Sequence, residues 1–259
     1  MHKDLDKLPP LERLRAIMAR LRAADGCQWD LSQTHTSLMP YLIEETYEVI
    51  EAIESGKPDK LKEELGDLLL QIYFHAQIAG EDSRFDIEQV ASDICDKLIR
   101  RHPHIFDQKK ALKPNEVRDQ WEKIKVETNE EKSVLSGVPH SMPALLLAYR
   151  VGEKAAGVGF DWENPRDIFA KLKEELLEFE QEFSGEDNDG MARELGDLIF
   201  ALVNLARKTG IDPEHALRGT VRRFTDRFAY IEESLKKRGR KFSETSLAEM
   251  EALWQEAKG

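Results

Sequence analysis

The sequence has little of what secreted, zinc-stabilised or membrane-embedded proteins need. Only two cysteines, Cys27 and Cys95, stand among its 259 residues, too few for a disulfide framework and spaced wrongly for a zinc site. No apolar run is long enough to span a bilayer, and residues 1–10 lack the apolar core of a signal peptide. These absences predict a cytoplasmic protein without a membrane partner.

Motifs of the common enzyme classes are also missing. There is no Walker A loop, no dinucleotide-type glycine motif, no Gly-x-Ser-x-Gly segment and no cysteine-centred nucleophile. None of the seven histidines follows a glutamate by three residues, which argues against a ferritin-like di-iron bundle. A net charge of −12 argues against direct nucleic-acid binding, because lysine and arginine hold phosphate backbones. A small phosphate ligand bridged by metal ions stays compatible with that charge.

What the chain does contain is a duplicated group of carboxylates. Each copy has the pattern Glu-Glu-x-x-Glu, a gap, and then Glu-Leu-Gly-Asp, and matching residues lie 130 positions apart. The acidic residues are Glu44, Glu45, Glu48, Glu64 and Asp67 in the first copy and Glu174, Glu175, Glu178, Glu194 and Asp197 in the second. Further matching segments follow in the same order, so the two halves are internal repeats.

Apolar residues recur at steps of three and four along nearly every segment, and alternating runs of Val, Ile and Thr are absent. This pattern predicts an all-α fold. Residues 129–141 are polar, contain Gly137 and Pro139, and lose the helical periodicity. We therefore predict two tandem homologous helical bundles, at residues 1–128 and 142–259, joined by a linker at 129–141.

Helical geometry separates the acidic residues into two kinds. Glu44 and Glu174 point outward, whereas four carboxylates in each half lie beside an apolar stripe: Glu45, Glu48, Glu64 and Asp67, and then Glu175, Glu178, Glu194 and Asp197. Half-buried like charges need a counter-charge, and Mg²⁺ with oxygen ligands provides one, with Mn²⁺ or Ca²⁺ as the alternatives. The alternative interpretation is a solvated acidic face. Gly66 and Gly196 are expected to allow close helix approach.

Positive charges are distributed unequally between the halves. Lys171 and Arg193 lie close to the second carboxylate group, where the first half has Tyr41 and Glu63. The set of residues predicted to bind a phosphorylated substrate is Lys171, Arg193, Arg223, Arg227, Trp254 and Lys258. Trp254 either stacks on a base or packs the last helix onto the core. Asn204 is interpreted either as a contact to sugar or base or as a polar side chain satisfied within its helix.

These motifs closely resemble the MazG family of nucleoside triphosphate pyrophosphohydrolases, within the all-α NTP pyrophosphatase group. The resemblance covers almost the whole chain and includes four segments besides the carboxylates: Gly26 to Asp30, Arg100 to His104, Val158 to Trp162, and Trp254 to Lys258. Gln28 departs from it, because the family has Pro at that position, and the change affects a turn more than the chemistry.

The resemblance implies hydrolysis of a nucleoside triphosphate to the monophosphate and pyrophosphate, with Mg²⁺ required, in a homodimer. It makes Glu175, Glu178, Glu194 and Asp197 the catalytic metal ligands and ATP a substrate. The surrounding cations predict that the second half carries most turnover, with a broad range of bases. Two alternatives stay open from the sequence: a noncatalytic metal- or nucleotide-binding helical module, and a dUTPase-like enzyme of narrow specificity.

Overall fold

A computed structural model describes residues 5–107, 111–113, 116–117, 120–121, 124 and 133–258. The chain divides into two compact units, Met1–Ala111 (unit 1) and Leu112–Gly259 (unit 2). Within the described residues every regular element is a helix and none is a strand, which confirms the all-α prediction. The first residues of the predicted linker, 129–132, lie outside the described residues, so the linker bounds stay a prediction.

Unit 1 is built around a hairpin of two long helices. Its helices are α1 (Pro10–Leu21), α2 (Gln28–Ser32), α3 (His35–Ser55), α4 (Pro58–Glu81), α5 (Ile87–Arg101) and α6 (Pro103–Phe106). Thr34 caps α3 by accepting a hydrogen bond from the Ser37 amide. Gly56 ends α3 with a left-handed φ of 64°, and Pro58 starts α4 two residues later. This tight turn brings α3 and α4 side by side.

A small apolar core supports one end of this hairpin. Its buried members are Met18, Leu38, Tyr73, Phe74 and Ile78. They come from α1, the first turn of α3 and the C-terminal half of α4, and burying each side chain contributes roughly 1.5–3 kcal/mol. The core therefore fixes the hairpin at the end where α3 begins and α4 ends. The carboxylates of both helices lie nearer the turn at Gly56.

Unit 2 repeats the hairpin and adds a longer C-terminal part. Its described elements are α7 (Ala144–Gly157), α8 (Pro165–Gly185), α9 (Asn188–Thr209), α10 (Pro213–Lys237), a 3₁₀ turn (Phe242–Glu244) and α11 (Leu247–Glu256). Helices α8 and α9 form the hairpin, and α7 packs against α9. Ile231, Leu235 and Leu253 form a buried cluster between α10 and α11. None of the described helices is both long and apolar enough to cross a membrane.

The close helix approach predicted at Gly66 and Gly196 is wrong. A Cβ at either position would meet no atom within 4 Å in the described part of the chain. Close approaches occur instead at Gly190, where a Cβ would stand 2.5 Å from Glu182 Oε2, and at Gly152 in α7, where it would stand 2.6 Å from Asn204 Oδ1 and 3.1 Å from Arg207 Nε. Glycine is needed at position 152 because α7 lies directly against polar side chains of α9.

Candidate metal and phosphate site

The hairpin of unit 1 brings three of the four predicted carboxylates together. Oxygen atoms of Glu45 on α3 and of Glu64 and Asp67 on α4 all lie within 4.8 Å of one another. Glu64 and Asp67 share one side of α4 because they are three residues apart, and the tight turn sets α3 opposite them. Two helices thus supply oxygen ligands to one point in space.

Unit 2 contains the same arrangement at the matching positions. Oxygen atoms of Glu175 on α8 and of Glu194 and Asp197 on α9 lie within 4.8 Å of one another. Glu175 is only 4% exposed, whereas its neighbour Glu174 is exposed, as the helical geometry predicts. The duplication seen in the sequence is therefore a duplication of geometry.

The fourth carboxylate of each set lies beside the cluster of three. In unit 1 Glu48 interacts electrostatically with Glu45. In unit 2 Glu178 interacts electrostatically with Glu175 and Glu194. Both carboxylates therefore contribute to the charge of a cluster, and both are half-buried.

The carboxylates oppose one another's ionisation. Burial raises the pKa of Glu45 above its ordinary value, and the charges of Asp67 and Glu48 add to that rise. Burial and the Glu48 charge likewise raise the pKa of Glu64. In unit 2 burial and the Glu175 charge raise the pKa of Glu178. The unit 1 cluster therefore contains more negative charge than its surroundings neutralise.

The donor set fits a hard divalent cation. Mg²⁺ and Mn²⁺ prefer carboxylate and water oxygens, and Mg²⁺ commonly joins one or two protein carboxylates to substrate phosphates. Each cluster offers oxygens from three carboxylates and contains no sulfur or imidazole ligand in the described part of the chain. Glu45, Glu64 and Asp67 would hold an ion in unit 1, and Glu175, Glu194 and Asp197 would hold one in unit 2.

A lysine distinguishes the two clusters. Lys171 Nζ lies 2.6 Å from Glu175 Oε1 and 2.7 Å from Glu174 Oε1. Its hydrogen bonds to both carboxylates raise the pKa of Lys171, which keeps this side chain charged. The matching position in unit 1 is Tyr41. Of the predicted substrate-binding residues, only Lys171 forms an ion pair with its carboxylate cluster in the described structure.

Arg227 and Trp254 form a second group, on α10 and α11. The Arg227 guanidinium lies over the Trp254 ring, 5.4 Å from its centroid, and Phe224 packs against the same indole at 5.1 Å. Trp254 also packs against the buried cluster of Ile231, Leu235 and Leu253. The indole thus helps attach α11 to the core while remaining partly accessible.

The other predicted cations lie on the surface. Arg193 is exposed beside Glu194, and Lys258 is exposed just beyond the end of α11. Arg223 is exposed and donates to Thr220 Oγ1 at 2.9 Å. Their side chains can move toward a polyanionic ligand without disrupting the core.

The interpretation of Asn204 as a sugar or base contact is wrong. Asn204 is 2% exposed, donates from Nδ2 to the Phe200 carbonyl and accepts from Arg207 Nε at 3.2 Å. Arg207 in turn forms an ion pair with Asp161, whose pKa is lowered because hydrogen bonds from Arg207 and Lys208 outweigh its burial. This network stabilises the packing around α9 and was not predicted.

The signal for that network was present in the sequence. Asp161 lies in the Val158 to Trp162 segment, which recurs in both halves, and Arg207 and Lys208 follow on the helix that carries Glu194. Sequence distance concealed the pairing, because 46 residues separate Asp161 from Arg207.

Comparisons with known proteins agree with this geometry. The model of the MazG nucleotide pyrophosphohydrolase domain matches residues 33–106 and 163–230, and each segment contains one carboxylate cluster. The chain is 45% identical to a Thermotoga maritima protein named nucleoside triphosphate pyrophosphohydrolase/pyrophosphatase MazG, over 96% of this chain and 95% of that one.

An Escherichia coli K12 protein named nucleoside triphosphate pyrophosphohydrolase is 42% identical, over 96% of this chain and 97% of its own length. A Bacillus subtilis protein, YabN, whose name describes it as uncharacterized, is 47% identical over 94% of this chain and 50% of its own. The chain belongs to the MazG family of nucleotide pyrophosphohydrolases.

Proposed function

We propose that this chain is a nucleoside triphosphate pyrophosphohydrolase that depends on Mg²⁺, with Mn²⁺ as a substitute, and releases nucleoside monophosphate and pyrophosphate. One observation carries this proposal: two helical hairpins each converge three carboxylates within 4.8 Å, in the two segments that match the family domain. A triphosphate is a polyanion, so an acidic site can receive it only with cations present.

Glu175, Glu194 and Asp197 would hold the ion, with Glu178 beside them. When bound, the ion supplies charge neutralisation at the phosphates and lowers the pKa of a water to generate the nucleophile. Because that water is the nucleophile, no covalent bond to the protein is required. The half-buried Glu178, whose pKa is raised, can accept and hold a proton from the attacking water.

We place most turnover in unit 2, and Lys171 supports this assignment. Lys171 forms an ion pair with Glu175, the most buried carboxylate of the cluster. Once a metal ion neutralises Glu175, the ammonium group of Lys171 can leave that carboxylate and bind a substrate phosphate. Arg193, Arg223 and Lys258 add exposed positive charge on the same unit, and Arg227 adds a partly buried one. In unit 1 the charge of Lys60 acts on Glu64, but among the described residues no lysine forms an ion pair with the cluster there.

A broad base range is supported by the partly accessible indole of Trp254. Stacking on an aromatic face tolerates every base, because each base has a π-face. Arg227 already lies over this indole, so a base and the guanidinium would share one aromatic platform. ATP is accordingly one of several expected substrates.

We also propose a homodimer that acts in the cytoplasm. The hairpin of unit 2 exposes an apolar stripe beside its carboxylates, formed by Leu176, Phe183, Leu195 and Leu202. Phe183 is 67% exposed, and large apolar surfaces of this kind mark protein interfaces. A second copy of the chain that covers this stripe would complete the bundle. Light scattering of the purified protein should give the mass of two chains.

Paired double variants test the activity and its location. Glu194→Gln with Asp197→Asn removes two ligands in unit 2, and Glu64→Gln with Asp67→Asn is the matched change in unit 1. With each NTP and Mg²⁺, we expect pyrophosphate release to be lost in the first variant and retained in the second. Unchanged release in the first variant would contradict the assignment.

The products discriminate between the alternatives. Monophosphate with pyrophosphate supports the proposal, whereas diphosphate with phosphate excludes the family reaction. Mg²⁺-dependent stabilisation without any product would indicate a noncatalytic module. Hydrolysis of dUTP alone would indicate a narrow, dUTPase-like enzyme.

A further inference from the structure

Gln71 on α4 has a buried polar atom that the proposed reaction does not use. The residue is 6% exposed, and its Oε1 accepts no hydrogen bond within the described residues. Buried acceptors in proteins are nearly always paired, and an unpaired one is destabilising. The amide oxygen therefore calls for a further donor, such as water or a ligand.

Helical spacing places Gln71 in line with the unit 1 carboxylates. Glu64, Asp67 and Gln71 follow one another at steps of three and four residues, so they share one side of α4. Phe74, three residues further along, belongs to the apolar core. Gln71 thus lies between the carboxylate cluster and that core, where bulk water has little access.

The matching position in unit 2 has no polar side-chain atom. It is Ala201, which is also buried. The two hairpins therefore share their carboxylates and differ at the position one turn beyond Asp67 and Asp197. An amide at this position is a property of the unit 1 cluster alone.

We propose that Gln71 is a positioning residue for a metal ion in unit 1. Its Oε1 accepts a hydrogen bond from a water retained by a divalent ion bound to Glu45, Glu64 and Asp67. Mg²⁺ usually keeps several waters when protein carboxylates bind it, and groups that hold such outer ligands strengthen metal binding. This inference rests on metal binding by the carboxylates, which belongs to the proposed function.

Manganese binding measured by electron paramagnetic resonance tests the inference in the full chain. Glu194→Gln with Asp197→Asn would first remove the unit 2 site, so that the remaining bound Mn²⁺ belongs to unit 1. Adding Gln71→Met preserves the side-chain length without the acceptor, and we expect the Kd for Mn²⁺ to rise roughly tenfold or more. Gln71→Ala, which copies Ala201, should do the same.

The stability of the metal-free protein separates this role from a structural one. Because either variant removes an unpaired buried acceptor, the melting temperature of Gln71→Met in EDTA should be unchanged or higher. Gln77→Met is the control, because Gln77 donates to Glu81 Oε1 at 3.0 Å away from the cluster. It should leave the Kd for Mn²⁺ unchanged.

Two results would overturn the inference. The first is an unchanged Kd for Mn²⁺ in both Gln71 variants. The second is the absence of Mn²⁺ binding by unit 1 in the chain that has only Glu194→Gln and Asp197→Asn. Pyrophosphate release by the chain with Glu194 and Asp197 intact reports independently on the proposed function. The experiments therefore distinguish an incorrect role for Gln71 from an incorrect proposed function.

Discussion

Lys171 Nζ lies 2.6 Å from the buried carboxylate of Glu175, whereas Tyr41 occupies the matching position in unit 1. A lysine next to a buried carboxylate stabilises its charge, and it also competes with a metal ion for the same oxygens. An ion bound at Glu175, as we propose, would therefore release a positive side chain. That side chain would then be available to a phosphate of the substrate.

Replacing Lys171 with Met should weaken substrate binding more than metal binding. We expect the KM for ATP to rise by roughly tenfold, because one charge-assisted hydrogen bond contributes about 1.5–3 kcal/mol. Steady-state kinetics at saturating Mg²⁺ would measure this change. Lys173→Met, two residues away and exposed on the same helix, is the control. Equal KM values for the two variants would contradict the role of Lys171.

Adding one methyl group should have opposite effects at Gly152 and Gly66. Gly152→Ala should destabilise the protein by about 1–3 kcal/mol, because its Cβ would lie 2.6 Å from Asn204 Oδ1. Gly66→Ala should stabilise it by roughly 0.5–1 kcal/mol, because the position is open and alanine favours the helix. Urea unfolding followed by circular dichroism would measure both. Equal effects would contradict the packing described at α7.

His75 should make unit 1 sensitive to mild acid. Arg84 Nη2 lies 3.3 Å from His35 Nε2, and the two Nδ1 atoms of His35 and His75 lie 2.8 Å apart. If Arg84 donates to Nε2, the neutral His35 carries its proton on Nδ1 and donates it to His75. A proton added at His75 Nδ1 would break this bond. Burial, with a contribution from His35, lowers the pKa of His75 below 6.5.

The direction of the pH effect follows from that lowered pKa. Below pH 6.5 His75 binds a proton more readily in the unfolded chain than in the folded one. The contribution of His75 to stability is therefore complete above this pH and decreases as the pH falls. His75→Leu, which copies Leu205 of unit 2, should reduce the loss of melting temperature between pH 7.5 and 5.5. His140→Gln, on an exposed residue, should leave the loss unchanged. A loss that persists in full in His75→Leu would refute the prediction.

The ion pair of Arg240 and Glu249 should stabilise the C-terminal part of unit 2 at neutral pH. Arg240 Nη1 donates to Glu249 Oε1 at 2.6 Å, and this bond, with those from Ser246, lowers the pKa of Glu249 to about 2. Its contribution is therefore full above the ordinary pKa of 4.5 and is lost as pH falls toward 2.

A substitution at Glu249 tests that contribution. Glu249→Gln should lower the melting temperature at pH 7 and have less effect at pH 3, measured by differential scanning calorimetry. Glu232→Gln, an exposed carboxyl on α10, is the control for loss of a surface charge. An equal decrease at both pH values would show that the charge of Glu249 is not responsible.

Local patterns indicate where some of the helices begin. The Asp86 and Gln89 pair and the Ser246 and Glu249 pair form capping boxes in the structure, as their spacing predicts. These signals act over a few residues, so sequence spacing alone describes them. The convergence of Glu45 with Glu64 and Asp67 could also be predicted, because one tight turn connects the two helices.

Contacts between distant segments could not be predicted in the same way. Asn204 has the spacing of a site residue, yet Gly152 on α7 lies against it and leaves no room for a ligand. Trp254 packs on the core and is only partly buried, so its stacking on a base stays a prediction. Which face of a helix is covered depends on what packs against it, and periodicity does not specify the partner.

The sequence by itself determined the all-α class, the duplication and the carboxylate residues, because helical periodicity and repeated spacing are local properties of the chain. The tertiary structure alone decided three matters: that Lys171 neutralises Glu175, that Asn204 is buried, and that Gln71 has an unpaired acceptor. Each of these depends on distances and burial set by packing. Packing is a property of all contacting residues together, so no single motif specifies it.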